Sequence, residues 1–291
     1  MHMHIYEVDK VLLENDFAIE YKKGTDHKMD RPHFHDGFEI HFTLNNRTQY
    51  YIDERKYVGN MGSIAIFNPQ EIHRVVIEEG IMYERYVILF KPYCIESIIS
   101  EYPDLIHFLN DRYSGFANVI QLKNKDRITL VNLFNEIIQI RNNPQAFLRE
   151  LNIKVKFVEI LLLLNEYYAK GDQFENTVAR HKDHEVKEII SFMKNHYQEN
   201  IDLNEICKRF YISKSTLTRV FKNNVGMTPS KYLGYVRIIE ARKLLKEGYS
   251  IKAVAVKVGF SDDSTFIKKF KNIQGISPKQ YALQEKRRNH F

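Results

Sequence analysis

Five polar residues in the first quarter of the chain have types and spacings that suit ligand chemistry. His33 and His35 are two apart. Glu39 and His41 follow at odd positions, and His73 closes a Gly62-x6-Pro69-x3-His73 stretch. Imidazole nitrogen and carboxylate oxygen are donors that suit a divalent transition metal. Imidazole also donates and accepts hydrogen bonds, so the same set suits a hydroxyl-rich small molecule. A third reading is a hydrogen-bonded network that satisfies itself. On an unbroken strand residues 33, 35, 39 and 41 share one face, opposite Phe38, Ile40, Phe42 and Leu44. A polar group buried without a partner costs about 1–3 kcal/mol, so each of these needs one.

The elements that must carry them are strands. From residue 5 to 90, short apolar-alternating runs recur: 38–44, 47–52, 63–67, 74–77 and 83–90. Asp36-Gly37, Asn45-Asn46, Gly59-Asn60, Gly62 and Asn68-Pro69 punctuate them. Short strands at such spacing suggest a sandwich or barrel, and Tyr50, Tyr51, Tyr83 and Tyr86 are candidates for lining its interior, though tyrosines on strands more often simply pack. From Pro92 the period becomes helical. Residues 126–141 carry Ile128, Val131, Leu133, Phe134, Ile137 and Ile138 on one side, and Asn142-Asn143-Pro144 ends that helix. The next helix, about 145–170, has two apolar stripes. Leu148, Leu151, Val155, Val158 and Leu162 form one; Phe157, Ile160, Leu161, Leu164 and Tyr168 form the other. A helix that is apolar on two sides is covered on two sides: its own strands can cover one, and the other is covered by a second copy of the chain or from within the same subunit.

A second constellation fills the C-terminal third. ISKSTLTRVFKNNVGMTPSKYL from Ile212 and FSDDSTFIKKFKNIQGISPKQYA from Phe260 are one unit written twice. At an offset of 49, Phe221 pairs with Phe270, Gly226 with Gly275, Pro229 with Pro278 and Tyr232 with Tyr281. Each copy reads as helix, tight turn, helix. In the first, Leu203, Ile206 and Phe210 make an apolar face, and Ser213 caps a helix that turns Leu217, Val220 and Phe221 inward. In the second, Ile251, Val254 and Val258 face inward, Gly259 turns, and Ser261 or Asp262 caps a helix burying Phe266, Ile267 and Phe270. The outer faces are small, polar and basic, which suits helices that enter the major groove. Between the copies, Thr228-Pro229 starts a helix that stops at Gly248. It spans about 19 residues, or roughly 28 Å, enough to set two reading helices on adjacent turns of one DNA face.

Charge agrees with this division. From residue 184 onward there are 21 Lys and Arg against 10 Asp and Glu, a net of +11; the first 183 residues hold 22 against 27, a net of −5. Only the C-terminal part has the surplus that meets phosphate. The two cysteines, Cys94 and Cys207, form no paired motif, which fits a reducing compartment. The start of the chain lacks a signal-peptide pattern. The longest apolar run, 160–164, is too short to span a membrane. A cytoplasmic protein without a membrane segment is expected.

IDLNEICKRFYIS, VGMTPSKYL, RIIEARKLL, VKVGFSDDSTFIKKFK and GISPKQY together resemble the DNA-binding domain of the AraC/XylS transcription regulators, over roughly residues 185–286. The resemblance implies a bipartite helix-turn-helix module that binds promoter DNA. Its base-facing positions fall on Ser215, Thr218, Arg219, Asp263, Ser264, Thr265 and Lys268; phosphate contacts are expected at Lys214, Lys222, Lys269 and Lys271. The His33 and His73 stretches resemble the two motifs of the cupin barrel, with Glu71 standing where the second motif has glycine. In metal-binding cupins His33, His35, Glu39 and His73 are the ligand positions; regulators of the resembled family use the barrel to sense effectors, often without metal. The expected architecture is α+β. Residues 1–170 form a cupin-like effector and dimerisation domain, with the barrel at about 5–90 and helices at 92–170. Residues 171–183 are a linker, and 184–291 an all-α double helix-turn-helix. The expected protein is no enzyme and needs no cofactor. It is a homodimeric regulator binding promoter DNA, with His33, His35, Glu39, His41, Tyr50 and His73 around a small-molecule effector, a sugar being one fit. RNA polymerase is a partner if it activates. The rival readings are a metal-dependent cupin enzyme fused to a DNA-binding domain and a constitutive DNA-binding dimer.

Overall fold

The strand Phe38–Thr43 is buried along its whole length, because both of its faces meet protein. Phe38, Ile40 and Phe42 look one way; Glu39, His41 and Thr43 look the other. The computed structural model that shows this describes residues 16–25, 32–53, 55–69, 71–110, 118–170, 184–199 and 201–288. The expected linker, 171–183, lies outside the described residues. The chain divides into two compact units, one within residues 10–180 and one within 181–291.

Among the described residues the first unit holds eight strands: β1 Phe17–Gly24, β2 Phe38–Thr43, β3 Thr48–Ile52, β4 Arg55–Gly59, β5 Ser63–Phe67, β6 His73–Val76, β7 Tyr83–Phe90 and β8 Val119–Gln121. They form two antiparallel sheets, ordered β1-β7-β2-β5-β8 and β4-β3-β6. After short helical turns across 92–110 come two long helices, α1 Asn124–Asn142 and α2 Arg149–Lys170. One face of the large sheet packs Ile40, Phe42, Ile64, Ile66, Ile88 and Phe90 against Leu130, Phe134 and Ile137 of α1 and Phe157, Ile160, Leu161 and Leu164 of α2. The other face brings Ala65, Phe67, Tyr83 and Val119 against Tyr50, Ile52, Tyr57 and Val75 of the small sheet. The polar residues of β2 lie between the sheets.

Several expectations need correction. The strand set does not end at 90, since β8 joins the edge of the large sheet beside β5. β4 is absent from the expected strands, and its last residue, Gly59, falls in an expected turn; Arg55, Lys56 and Gly59 mask its pairing with β3. Residues 33–41 are not one strand: His33 sits in an isolated bridge with His73, and β2 starts only at Phe38. On α1, Ile128 is 59% exposed, and the buried stripe is Leu130, Leu133, Phe134 and Ile137. Leu148 precedes α2, with a left-handed φ of 45° that a continuous helix does not allow.

Among the described residues the elements of the second unit are all helices: α3 His184–Asn195, α4 Leu203–Arg209, α5 Lys214–Asn224, α6 Pro229–Lys246, α7 Ile251–Lys257, α8 Asp263–Gln274 and α9 Pro278–Arg288. Side-chain caps start five of them. Asp202, Ser213, Thr228, Ser250 and Asp262 each accept from the backbone N–H three residues on, satisfying donors that a helix start leaves open. The sequence repeat is a packing repeat as well. The Phe221 and Tyr232 rings meet edge-on at 5.9 Å and 70°, and the matching Phe270 and Tyr281 rings do so at 5.6 Å and 67°. Ile267 departs from the expected inward set and is 38% exposed.

Candidate ligand site and nucleic-acid interface

The site between the sheets is assembled by backbone pairing. His33 N–H donates to His73 O at 2.9 Å and His73 N–H to His33 O at 2.8 Å. Residues paired across a bridge in this way point their side chains to one face. The two rings lie 4.4 Å apart. Past the bend at Asp36-Gly37, β2 points Glu39 back into the same space. His33, His35, Glu39 and His73 are all buried, and one ligand atom from each lies within 4.8 Å of all the others.

Second contacts fix the ring orientations. His35 Nδ1 donates to Gly37 O at 2.9 Å, and His73 Nδ1 donates to Glu71 O at 3.1 Å; a carbonyl only accepts, so the proton sits on Nδ1 in both rings. His35 Nε2 is then 2.9 Å from Glu39 Oε2, and His73 Nε2 is 3.6 Å from the same oxygen. Phe67 stacks on His73 at 3.9 Å. Burial holds His33 well below the usual imidazole range, with His73 and His35 adding to the effect. Burial pushes the Glu39 carboxyl up, but the interactions with His35 and His73, hydrogen bonding and charge together, outweigh it and hold the group well below its ordinary range.

His41 and Tyr50, two of the expected pocket residues, are engaged with one another. Tyr50 Oη lies 3.1 Å from His41 Nδ1, and Tyr83 Oη lies 2.5 Å from His41 Nε2. Tyr83, one of the tyrosines expected as cavity lining, is buried at the start of its strand. Burial raises the phenol pKa of both tyrosines, keeping them protonated. Glu71 is fully buried. Its carboxylate accepts from Asn118 Nδ2 at 2.9 Å and from Asn68 N–H at 2.8 Å, so the residue that departs from the cupin motif ties β8 to the turn before β6. Nothing in the sequence flagged Asn118, which precedes a strand of three residues.

In the helical unit, Lys214, Ser215, Thr218, Arg219 and Lys222 line one open groove on α5, while Leu217 and Phe221 are buried beneath. On α8, Ser264, Thr265, Lys268 and Lys271 are exposed and Asp263 half-buried. Thr265 is partly committed to the cap, since its N–H and hydroxyl both donate to Asp262 at 2.8 Å. Lys269 is not on the outward face expected of it. It is half-buried and lies over α6, where a Cβ on Gly234 would meet its Cε at 2.5 Å. Burial lowers its pKa.

Two sheets enclosing a buried polar cluster, together with a duplicated helix-turn-helix whose outer faces are polar and basic, define the class: a transcription regulator with a ligand-binding N-terminal domain and a DNA-binding helix-turn-helix. Comparison with known proteins agrees. A model of the AraC-like ligand binding domain matches residues 14–145, and a helix-turn-helix domain model matches 206–284. The uncharacterized HTH-type transcriptional regulator YbfI of Bacillus subtilis (strain 168) is 30% identical over 232 residues, covering 80% of this chain and 79% of its own. The HTH-type transcriptional activator RhaS of Pectobacterium carotovorum subsp. carotovorum (strain PC1) is 24% identical over 269 residues, 87% of each chain. A solved structure, the DNA-binding domain of AdpA in complex with a target DNA, is 28% identical, covers 36% of this chain and 95% of that one, and has a TM-score of 0.35. The chain belongs to the AraC family. No helix among the described residues is long and apolar enough to cross a membrane.

Proposed function

We propose that this protein is a cytoplasmic, sequence-specific regulator that reads promoter DNA with α5 and α8 and is controlled by a small molecule bound between its two sheets. The division that goes with this reading is residues 1–170 for effector binding and dimerisation, 171–183 as linker and 184–291 for DNA. The groove of α5 carries the proposal: three basic and two hydroxyl side chains share one open surface over a buried apolar face. Arg219 offers a bidentate contact to guanine, Ser215 and Thr218 weaker contacts, and Lys214 and Lys222 phosphate contacts. On α8, Ser264, Thr265 and Lys268 face bases beside Asp263, and Lys271 holds phosphate. The family supports a regulatory role without catalysis, with RNA polymerase as a further partner if the protein activates.

A homodimer completes the reading. Leu151, Val155 and Leu162 leave 54%, 46% and 52% of their surface exposed on one stripe of α2, which a second copy would cover. Val158 contributes less, being partly buried against the core. The test is operator selection from random DNA with the full chain, followed by binding and sedimentation with and without metabolites. A recovered sequence with two half-sites, bound by a dimer and modulated by a metabolite, is expected. DNA binding without sequence preference would overturn the proposal.

A further inference from the structure

The two helix-turn-helix copies leave a space where they meet. An open cavity of about 430 Å³ is lined from α4, α6, α8 and the turn at Gly259. That volume falls within the roughly 300–1,000 Å³ of small-molecule sites. Met193, Ile206, Leu233 and Phe260 give it apolar walls. Ser230 brings an exposed hydroxyl, while the Ser261 and Thr265 hydroxyls are spent on Asp262. Arg237 and Lys269 line the same space, and both are half-buried.

Neither cation is matched by an acid. Arg237 Nε donates to Tyr197 O and Nη2 to Glu199 O, each at 2.8 Å. That uses two of the five guanidinium N–H groups and leaves the edge through Nη1. Lys269 makes no hydrogen bond or ion pair among the described residues. Burial lowers the pKa of both groups, and no carboxylate offsets it. Asp202, the acid of the lining, is taken up in capping α4: it accepts from Glu205 N–H at 2.8 Å and from Asn204 Nδ2 at 3.1 Å. Two partly desolvated cations beside one open space carry a cost that a bound anion would offset.

We propose that this cavity binds a small organic phosphate, its phosphoryl group held by Arg237 and Lys269 and its apolar body resting on Leu233 and Phe260. The free guanidinium edge, the ammonium and the Ser230 hydroxyl supply donors for three terminal oxygens, one more than a carboxylate offers. The site lies wholly within the DNA-binding unit and goes beyond the effector reading of the space between the sheets. An occupant would fix Lys269 beside Gly234, where an added Cβ would stand 2.5 Å from the lysine Cε, and would bridge the two copies.

The experiment titrates the full chain by calorimetry with phenyl phosphate, and with inorganic phosphate and phenol in parallel. One phenyl phosphate per chain is expected, bound at least about tenfold tighter than either fragment. Lys269→Gln removes the charge, and Gly234→Ala keeps it but displaces it; each should weaken binding by roughly tenfold or more. Circular dichroism checks that both variants fold. Amide exchange on wild type provides a readout without substitutions: phenyl phosphate should slow exchange in the Gly259 turn and the first turns of α8. Absence of stoichiometric binding would overturn the proposal. So would either folded variant binding as wild type does, or protection confined to the N-terminal unit, since the ligand would then lie elsewhere. Inorganic phosphate binding as tightly as phenyl phosphate would also overturn it, leaving a seat for a bare anion such as a DNA phosphate.

Discussion

The two helix-turn-helix copies share a scaffold and differ in what they place on it. The first turns at Tyr211, a left-handed residue with φ of 52° that is 97% exposed. The second turns at Gly259, with φ of 83°, where an added Cβ would stand 2.6 and 2.8 Å from the carbonyl oxygens of Tyr197 and Gln198. Ser213 caps α5 and Asp262 caps α8. The first reading surface is neutral and basic, centred on Arg219. The second opens with Asp263 and has withdrawn Lys269 to the side of α6. The repeat is preserved in its ring packing but not in its outer face; under the proposed function this fixed frame carries the strongest base reader, Arg219, on the first copy and weaker base contacts with anchoring on the second.

The largest effect expected is at the turn of the second copy. Gly259→Ala adds strain at a positive φ and a clash with two backbone oxygens, so it should cost on the order of 3 kcal/mol in denaturant unfolding of the DNA-binding unit. A loss under about 1 kcal/mol would mean that the turn is less constrained than its contacts imply.

The division of labour can be broken directly. Arg219→Ala should lose about 1–3 kcal/mol of operator binding and relax one base position. Lys271→Ala should cost less and affect all sequences alike, with a shallower salt dependence. Equal losses of selectivity from both would show two equivalent readers.

Acid sharpens the comparison further. The N–H of Thr265, then its hydroxyl, holds the Asp262 carboxyl below its usual range. A depressed folded pKa contributes stability above the unfolded value, about 3.9, and that contribution is lost as pH falls through the folded value. The serine cap of α5 does not titrate. Helicity of α8, followed by amide exchange, should therefore decline at lower acidity than that of α5 when pH falls below about 4. Parallel losses would remove the distinction.

The smallest change should be a gain. Tyr211→Gly relieves a left-handed side chain that packs on little, and should stabilise the unit by about 0.5–1 kcal/mol in the same unfolding measurement. Destabilisation would mean that Tyr211 makes contacts its exposure does not suggest.

The helical unit was largely legible because its signals are local. Caps at Ser213 and Thr228 and the apolar phases of α4, α5 and α7 each depend on a few neighbouring residues. Ile267 escaped because a helix of alternating Phe and Lys leaves its flank ambiguous. The N-terminal unit depends on distant pairing. Parity placed Glu39 and His41 on one face, but the strand breaks before residue 38. His33 and His35 reach the cluster because a bridge to His73 recovers what the break loses. β4 is too polar and β8 too short to show alternation. The partners that complete the interior, Asn118 on Glu71 and Tyr83 on His41, lie 47 and 42 residues away in sequence.

Gly234 gives the second copy a further property. With no side chain at that position, α6 leaves a berth in which the stem of Lys269 rests and its charge is partly desolvated. A methyl group there would displace only the flexible end of a lysine, so the cost to folding is small and alanine also favours the helix. What changes is where the charge goes. Evicted from α6, Lys269 becomes one more mobile cation on the flank of α8, and affinity rises for any nucleic acid while preference for the right one falls. Under the proposed DNA-binding role, position 234 sets how much mobile charge the flank of α8 presents.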